Sequence, residues 1–328
     1  MTAITHAGAA RPRNLRLIVC WLTIAACVPY LTLKVLWLSG GTVGWIDPAD
    51  AEGSALYTAN AITLVMDMIA VVVALALTYG WGRRLPAWLV LTPIWVAAGL
   101  LAPIVVAALP AMAIEAAVGS SGSAQPDMGL ETWVFVMVYT GFTLQGIGLM
   151  AAFALYARDR WPDVFRTRTA ALPKGPTASL QSLMVVTAAV LAVPYVVVHG
   201  YWALGGDAGI SDDMLDDRST ASYVVAGVWG AMAVVGVLGL LALVFRRGSG
   251  RLLGPLTAAW VGAGSMFCQS LYQMLVLIGR PGELGGEGTA LGGYTLLAGL
   301  ISGLILALAG AVLLAERPQR PAGCSPRS

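Results

Sequence analysis

The sequence predicts an all-α, polytopic membrane protein of eight transmembrane helices, arranged as two parallel four-helix repeats with both termini in the cytoplasm. Three observations predict it. Hydrophobic residues fill 58% of the 328 positions and charged residues only 11%, against about 25% charged in a soluble domain. Eight apolar runs reach the length of about 20 residues that a helix needs to cross a bilayer. Basic residues gather in alternate loops, as the positive-inside rule requires of an even number of spans.

The elements follow in order. A tail over 1–14 precedes the first repeat, over 15–168, whose spans are Leu15–Leu38, Ala59–Tyr79, Leu85–Leu109 and Thr132–Tyr156. The segment 169–177, with Pro173, Gly175 and Pro176, reads as a cytoplasmic linker. The second repeat, over 178–314, has spans Leu180–Ala203, Ser222–Phe245, Leu252–Ile278 and Gly292–Leu314, and a tail over 315–328 follows. Backbone groups in lipid must be satisfied within their own segment, so such runs are helices. The tails, the turns after spans 2 and 6 and the linker region hold 16 of the 19 Lys and Arg residues, among them Arg11, Arg83, Arg166, Arg247 and Arg317. The opposite side carries Arg218 and Arg280 among many acids, including Asp50, Asp127, Asp213 and Glu283. Ile24-Ala25-Ala26-Cys27 imitates a lipoprotein processing site. The chain nevertheless stays apolar through Leu38, which makes this stretch a span.

The repeat is visible as an offset of 165 residues. Val28-Pro29-Tyr30 recurs as Val193-Pro194-Tyr195, Trp37 as Trp202, Gly40-Gly41 as Gly205-Gly206 and Gly44 as Gly209. These are seven identities in 17 positions, and Ser54 then matches Ser219. Tyr139-Thr140 and Gly148 correspond loosely to Tyr294-Thr295 and Gly303. Four spans return a copy to its starting side, so the copies are parallel and an approximate two-fold axis runs along the membrane normal. Small residues such as Gly299, Gly303 and Gly148 read as helix contacts.

Polar residues inside the spans are the candidate site. Tyr30, Lys34 and Trp37 share one helical face at i, i+4 and i+7, and Tyr195, His199 and Trp202 repeat that stripe. Pro29 and Pro194 bend the two helices, and the Gly-Gly pairs end them with left-handed caps. An axis between spans 1 and 5 would bring Lys34 and His199 face to face across an outward cavity. Asp67, eight residues into span 2, is the one carboxylate deep in an apolar run. An unpaired charge there costs about 2.5–3.5 kcal/mol, so it pairs with Lys34, takes a proton or faces water. The second half has Gly230–Met232 at this place. Gln145, Gln269 and Gln273 complete the intramembrane polar set, and Glu115 falls just outside span 3. A structural reading stands beside this one: Lys34 snorkels to the interface, the tryptophans form an aromatic belt, and His199 bridges helices.

Several chemistries are set aside, and no cofactor or metal is expected. The four-plus-four duplication resembles haem A synthase in outline, but that family needs paired intramembrane histidines, and only His199 lies in a span. Cys20, Cys27, Cys268 and Cys324 form no Cys-x-x-Cys pair, and the three in spans read as packing residues. No phosphate-binding loop occurs. Arg outnumbers Lys by 17 to 2, a bias of high-GC bacterial genomes. Over Tyr30–Gly44 and in composition, the chain resembles uncharacterised multi-spanning membrane proteins of high-GC actinobacteria, a resemblance that implies no activity.

Three readings follow: a membrane protein that binds or transports a small molecule at an outward site between the repeats, a structural or accessory subunit, and an intramembrane enzyme using Lys34, His199 or Asp67. The expected partners are the lipid bilayer of a bacterial plasma membrane, a small-molecule ligand and other membrane proteins, with no nucleic acid. For the topology, external thiol labelling is expected to modify cysteines placed at Asp50, Asp127, Asp213 and Glu283 and to spare those at Arg83, Arg166 and Arg247. A reversed or mixed pattern overturns it.

Overall fold

A computed structural model describes residues 10–51, 54–118, 129–216, 218–248, 250–279 and 288–316. Among them are ten α-helices: α1 (Ala10–Leu38), α2 (Ser54–Thr78), α3 (Ala87–Val118), α4 (Thr132–Arg160), α5 (Pro162–Arg166), α6 (Ala178–Ala203), α7 (Asp212–Asp216), α8 (Thr220–Val244), α9 (Leu253–Gly279) and α10 (Ala290–Ala315). Eight of these are long and apolar enough to cross a membrane, in register with the eight apolar runs of the sequence. The short α5 and α7 are the exceptions. Helix α3 runs past its apolar stretch to Val118, which places Glu115 in a helical extension of the third span. His6, Glu52, Asp127, Asp217, Arg280, Glu283, Glu287, Arg317, Arg320, Cys324 and Arg327 lie outside the described residues.

The helices form two rings of four. In the first, α1 packs on α2 and α4, and α3 on α2 and α4. In the second, α6 packs on α8 and α10, and α9 on α8 and α10. Each ring has its own apolar core. The first centres on Cys20, Ala74, Leu77, Ile94, Leu149 and Tyr156, the second on Val185, Tyr195, Leu243, Met266, Leu306 and Leu313. Cys20, Cys27 and Cys268 are buried thiols, as packing residues should be. The rings join where α3 meets α9 and α8.

Small residues set how closely the helices approach. A Cβ added at Gly236 would lie 2.8 Å from Gly262 Cα, so α8 and α9 touch backbone to backbone there. Gly99 and Gly264 do the same for α3 and α9. With lipid outside as apolar as the side chains, close backbone packing supplies much of helix association.

Charged residues near the helix ends tie neighbouring elements together through backbone carbonyls. Arg16 donates to Leu155 O at 2.6 Å and pairs with Asp159 at 2.7 Å, clipping α1 to α4. Arg160 donates to Leu85 O at 2.9 Å and contacts the Tyr156 hydroxyl. The segment 169–177 is hydrogen-bonded to residues of the second ring. Thr169 N donates to Gly250 O at 3.1 Å, Arg246 to the carbonyls of Leu172 and Pro173, and Gln181 Nε2 to Glu316 at 2.9 Å. Thr169 and Leu172 are buried as a result.

Gly236→Val is expected to lower the unfolding free energy by at least about 1–3 kcal/mol, the usual cost of overpacking. Gly254→Ala is the control, because a Cβ at Gly254 meets nothing within 4 Å. Detergent unfolding followed by circular dichroism measures both, and equal stability of the two variants would contradict the close approach.

Candidate functional site: a buried ion pair and the seam between the rings

Lys34 is fully buried, with 0% of its surface exposed. Its position on α1, one turn after Tyr30, turns the side chain inward toward α2 instead of outward to the interface. Nζ lies 2.7 Å from Asp67 Oδ2 and 3.8 Å from the centroid of the Tyr30 ring. The second carboxylate oxygen, Asp67 Oδ1, accepts from Gln145 Nε2 of α4 at 3.4 Å. Three helices thus contribute to one cluster, with Phe142 edge-on to Tyr30 at 5.1 Å behind it. Taking both charges out of water carries a large desolvation cost. The short pair contact, the Tyr30 ring face and the Gln145 amide offset it.

His199 occupies the corresponding place in α6 and has a different environment. Only 1% exposed, it uses Nδ1 to donate to Tyr195 O at 2.8 Å. Its ring lies 4.1 Å from that of Tyr195, 5.1 Å from Trp202 and 5.6 Å from Trp229. No carboxylate stands in for Asp67, since Met232 occupies that position at the 165-residue offset. The two stripes therefore diverge chemically: an ion pair in the first ring, an aromatic box around an imidazole in the second.

Trp37 and Trp202 lie at the ring mouths in matching turns. Trp37 Nε1 donates to Val43 O at 2.8 Å and Trp202 Nε1 to Ala208 O at 2.9 Å. Each turn opens with a glycine at positive φ, Gly40 at 85° and Gly205 at 98°. Gly41 N then reaches back to Leu36 O at 2.8 Å, and Gly206 N to Tyr201 O at 2.9 Å. This is the hydrogen-bond pattern of a left-handed helix cap.

The expected meeting of Lys34 and His199 across an axis between spans 1 and 5 is corrected by the packing. The partners of Lys34 come from α1, α2 and α4, and those of His199 from α6 and α8. Of the three alternatives for Asp67, the structure shows the pairing with Lys34. The rings meet instead through α3, α8 and α9, where Gly99 and Gly264 let the backbones of α3 and α9 touch.

Four residues at that seam went unnoticed in the sequence: Trp95, Gly99, Trp260 and Gly264. The signal was present, because the same offset of 165 relates Leu91-Thr92 to Leu256-Thr257, Trp95-Val96 to Trp260-Val261 and Ala98-Gly99 to Ala263-Gly264. Trp95 Nε1 donates to Trp260 O at 3.0 Å. The Trp95 ring stacks on Phe267 at 5.5 Å, and Trp260 stacks on Phe153 at 6.1 Å. Trp95 packs against the core of the second ring and Trp260 against that of the first. Gln269 closes the seam by donating to Leu100 O at 3.0 Å. Gln273, one turn further along α9, is half-buried.

Among the described residues no three His, Cys, Asp or Glu side chains come together as an ion-binding cluster. Compared with known proteins, the chain matches no family model, no curated protein and no solved structure.

Lys34→Met strands the Asp67 carboxylate in the bilayer and is expected to cost about 3–5 kcal/mol of stability. Lys34→Met combined with Asp67→Leu removes both charges and is expected to recover most of that loss. Thermal unfolding in detergent reads both. A single variant as stable as the parent would mean that Asp67 has another partner.

Proposed function

We propose that this chain is a bacterial plasma-membrane protein that binds and transports a small zwitterionic molecule. In this reading it consists of two parallel four-helix repeats, with both termini in the cytoplasm. The distribution of 16 of 19 basic residues supports the orientation. The duplication is supported by the shared offset, by the same cyclic order of neighbours in each ring and by the matching glycine turns. The exchange of Trp95 and Trp260 between cores adds to it.

The observation that carries the function is the Lys34–Asp67 pair. An ionisable pair held inside transmembrane helices marks a ligand or ion pathway unless it serves packing alone. Its chemistry suits a zwitterion in particular. A carboxylate can move onto Lys34 while an ammonium moves onto Asp67 and Gln145, so every charge keeps an opposite partner throughout the exchange. A lone anion or cation would leave one member of the pair uncompensated. The site lies in the first repeat, in the outer half of the membrane, with Tyr30 as its aromatic wall. Tyr195, His199 and Trp202 form the uncharged counterpart in the second.

The accessory-subunit reading has one observation in its favour: Lys34 is already fully enclosed, as a helix fastener would be. Uptake of a panel of radiolabelled amino acids into proteoliposomes separates the two. Transport is expected for the parent protein with at least one zwitterion, and it should vanish in the folded Lys34→Met/Asp67→Leu variant. No uptake across the panel, or uptake unchanged in that variant, would favour the fastener.

A further inference from the structure

We infer that the α3–α9 seam has two alternative registers, and that the protein shifts between them by sliding one repeat past the other along the membrane normal. The inference rests on the duplicated architecture proposed above and not on the identity of the ligand.

In a two-fold arrangement, equivalent residues of α3 and α9 would make equivalent contacts. Gly99 and Gly264 do meet, but not equivalently. A Cβ added at Gly99 would fall against the Gly264 carbonyl, on its O and 2.6 Å from its C, and 2.9 Å from Cys268 Sγ, all on the C-terminal side of the Gly264 Cα. Gly264 instead faces Trp95 Nε1 at 3.0 Å, Trp95 O at 3.3 Å and Gly99 Cα at 3.4 Å. It is level with the stretch between Trp95 and Gly99. Helix α9 is therefore displaced by a fraction of a turn from the symmetric register.

The hydrogen bonds are displaced with it. Trp95 Nε1 donates to Trp260 O, but its equivalent, Trp260 Nε1, is buried without a hydrogen-bond partner among the described residues. An indole N–H can only donate, and a buried donor left unpaired is costly. The image of the existing bond supplies its partner: Trp260 Nε1 onto Trp95 O, the carbonyl that already faces α9 beside Gly264. Reaching it requires α9 to pass from one side of the symmetric register to the other, a travel of no more than one helical turn, about 5.4 Å. Packed helices have discrete registers, so such a step is a ratchet and not a drift. In the same exchange α3 gives up α8, and α2 takes up α9.

The sequence is not symmetric at this point, which explains why one register is filled. Phe267 stacks on Trp95, while the equivalent position beside Trp260 is Ala102. Gln269 latches onto Leu100 O, and its equivalent is Ile104. Both side chains hold the observed register. Removing them, or supplying the missing aromatic ring, moves the balance toward the image.

The test reads the indole N–H groups directly, in full-length ¹⁵N-labelled protein in lipid nanodiscs. Trp95 and Trp260 are identified among the eleven tryptophans by their Phe variants. Phe267→Ala and, separately, Ala102→Phe are expected to move the Trp260 indole proton downfield as it gains a bond and the Trp95 proton upfield. The population shift should be roughly two- to tenfold, as one aromatic pair provides. Gln269→Leu is expected to act in the same direction and replaces any variant that does not fold. If the Trp260 indole keeps one position in every folded variant while Trp95 stays bonded, the seam is rigid and the inference fails. Uptake plays no part in this readout, so a failed ligand panel leaves it standing.

Discussion

Hydrocarbon offers no partner to a peptide group or a charge, and almost every feature of this protein answers that constraint. It makes the spans helical, because a helix satisfies its own backbone. It gathers the arginines near the helix ends, where Arg160 and Arg246 donate to loop carbonyls and Arg16 to a carbonyl in the last turns of α4. It also forces the one deep carboxylate and the one intramembrane ammonium together. Neither Lys34 nor Asp67 is tolerable alone at that depth, so the fold of the first ring and the position of the pair are one problem with one solution.

The second ring solves the same geometric problem without charge. With Met232 in place of Asp67, an ammonium at position 199 would have no counterion, and the sequence has an imidazole there instead. A His can remain neutral, satisfy itself on the carbonyl one turn back and fill the space with a ring. Tyr195, Trp202 and Trp229 enclose it on three sides. The two matching stripes thus differ together at two positions, as coupled charges must.

Much of this was legible in the sequence, and what was not has a physical reason. Apolar run length and charge segregation gave the eight spans, because bilayer thickness and insertion energetics act on composition. The Gly-Gly caps were legible because positive φ selects glycine. The pairing of Lys34 with Asp67 was open as one of three alternatives, since helical spacing orders residues along one helix but does not say which helices are neighbours. For the same reason the polar stripes point to a meeting of spans 1 and 5, whereas the rings join through α3 and α9. Helix association in lipid follows backbone approach, and the informative residues were the plain ones: Gly99 and Gly264, with a tryptophan one turn before each.

The traded tryptophans also impose an order on biogenesis. Each ring borrows part of its core from the other, so α1 to α4 enter the bilayer as an unfinished unit, with the flank of Trp95 turned to lipid. Its acceptor, the carbonyl of Trp260, is 165 residues away along the chain. At about 5–20 residues per second, the ribosome needs on the order of ten to thirty seconds to deliver it. Correct assembly therefore depends on leaving that face of α3 unoccupied until α9 is inserted.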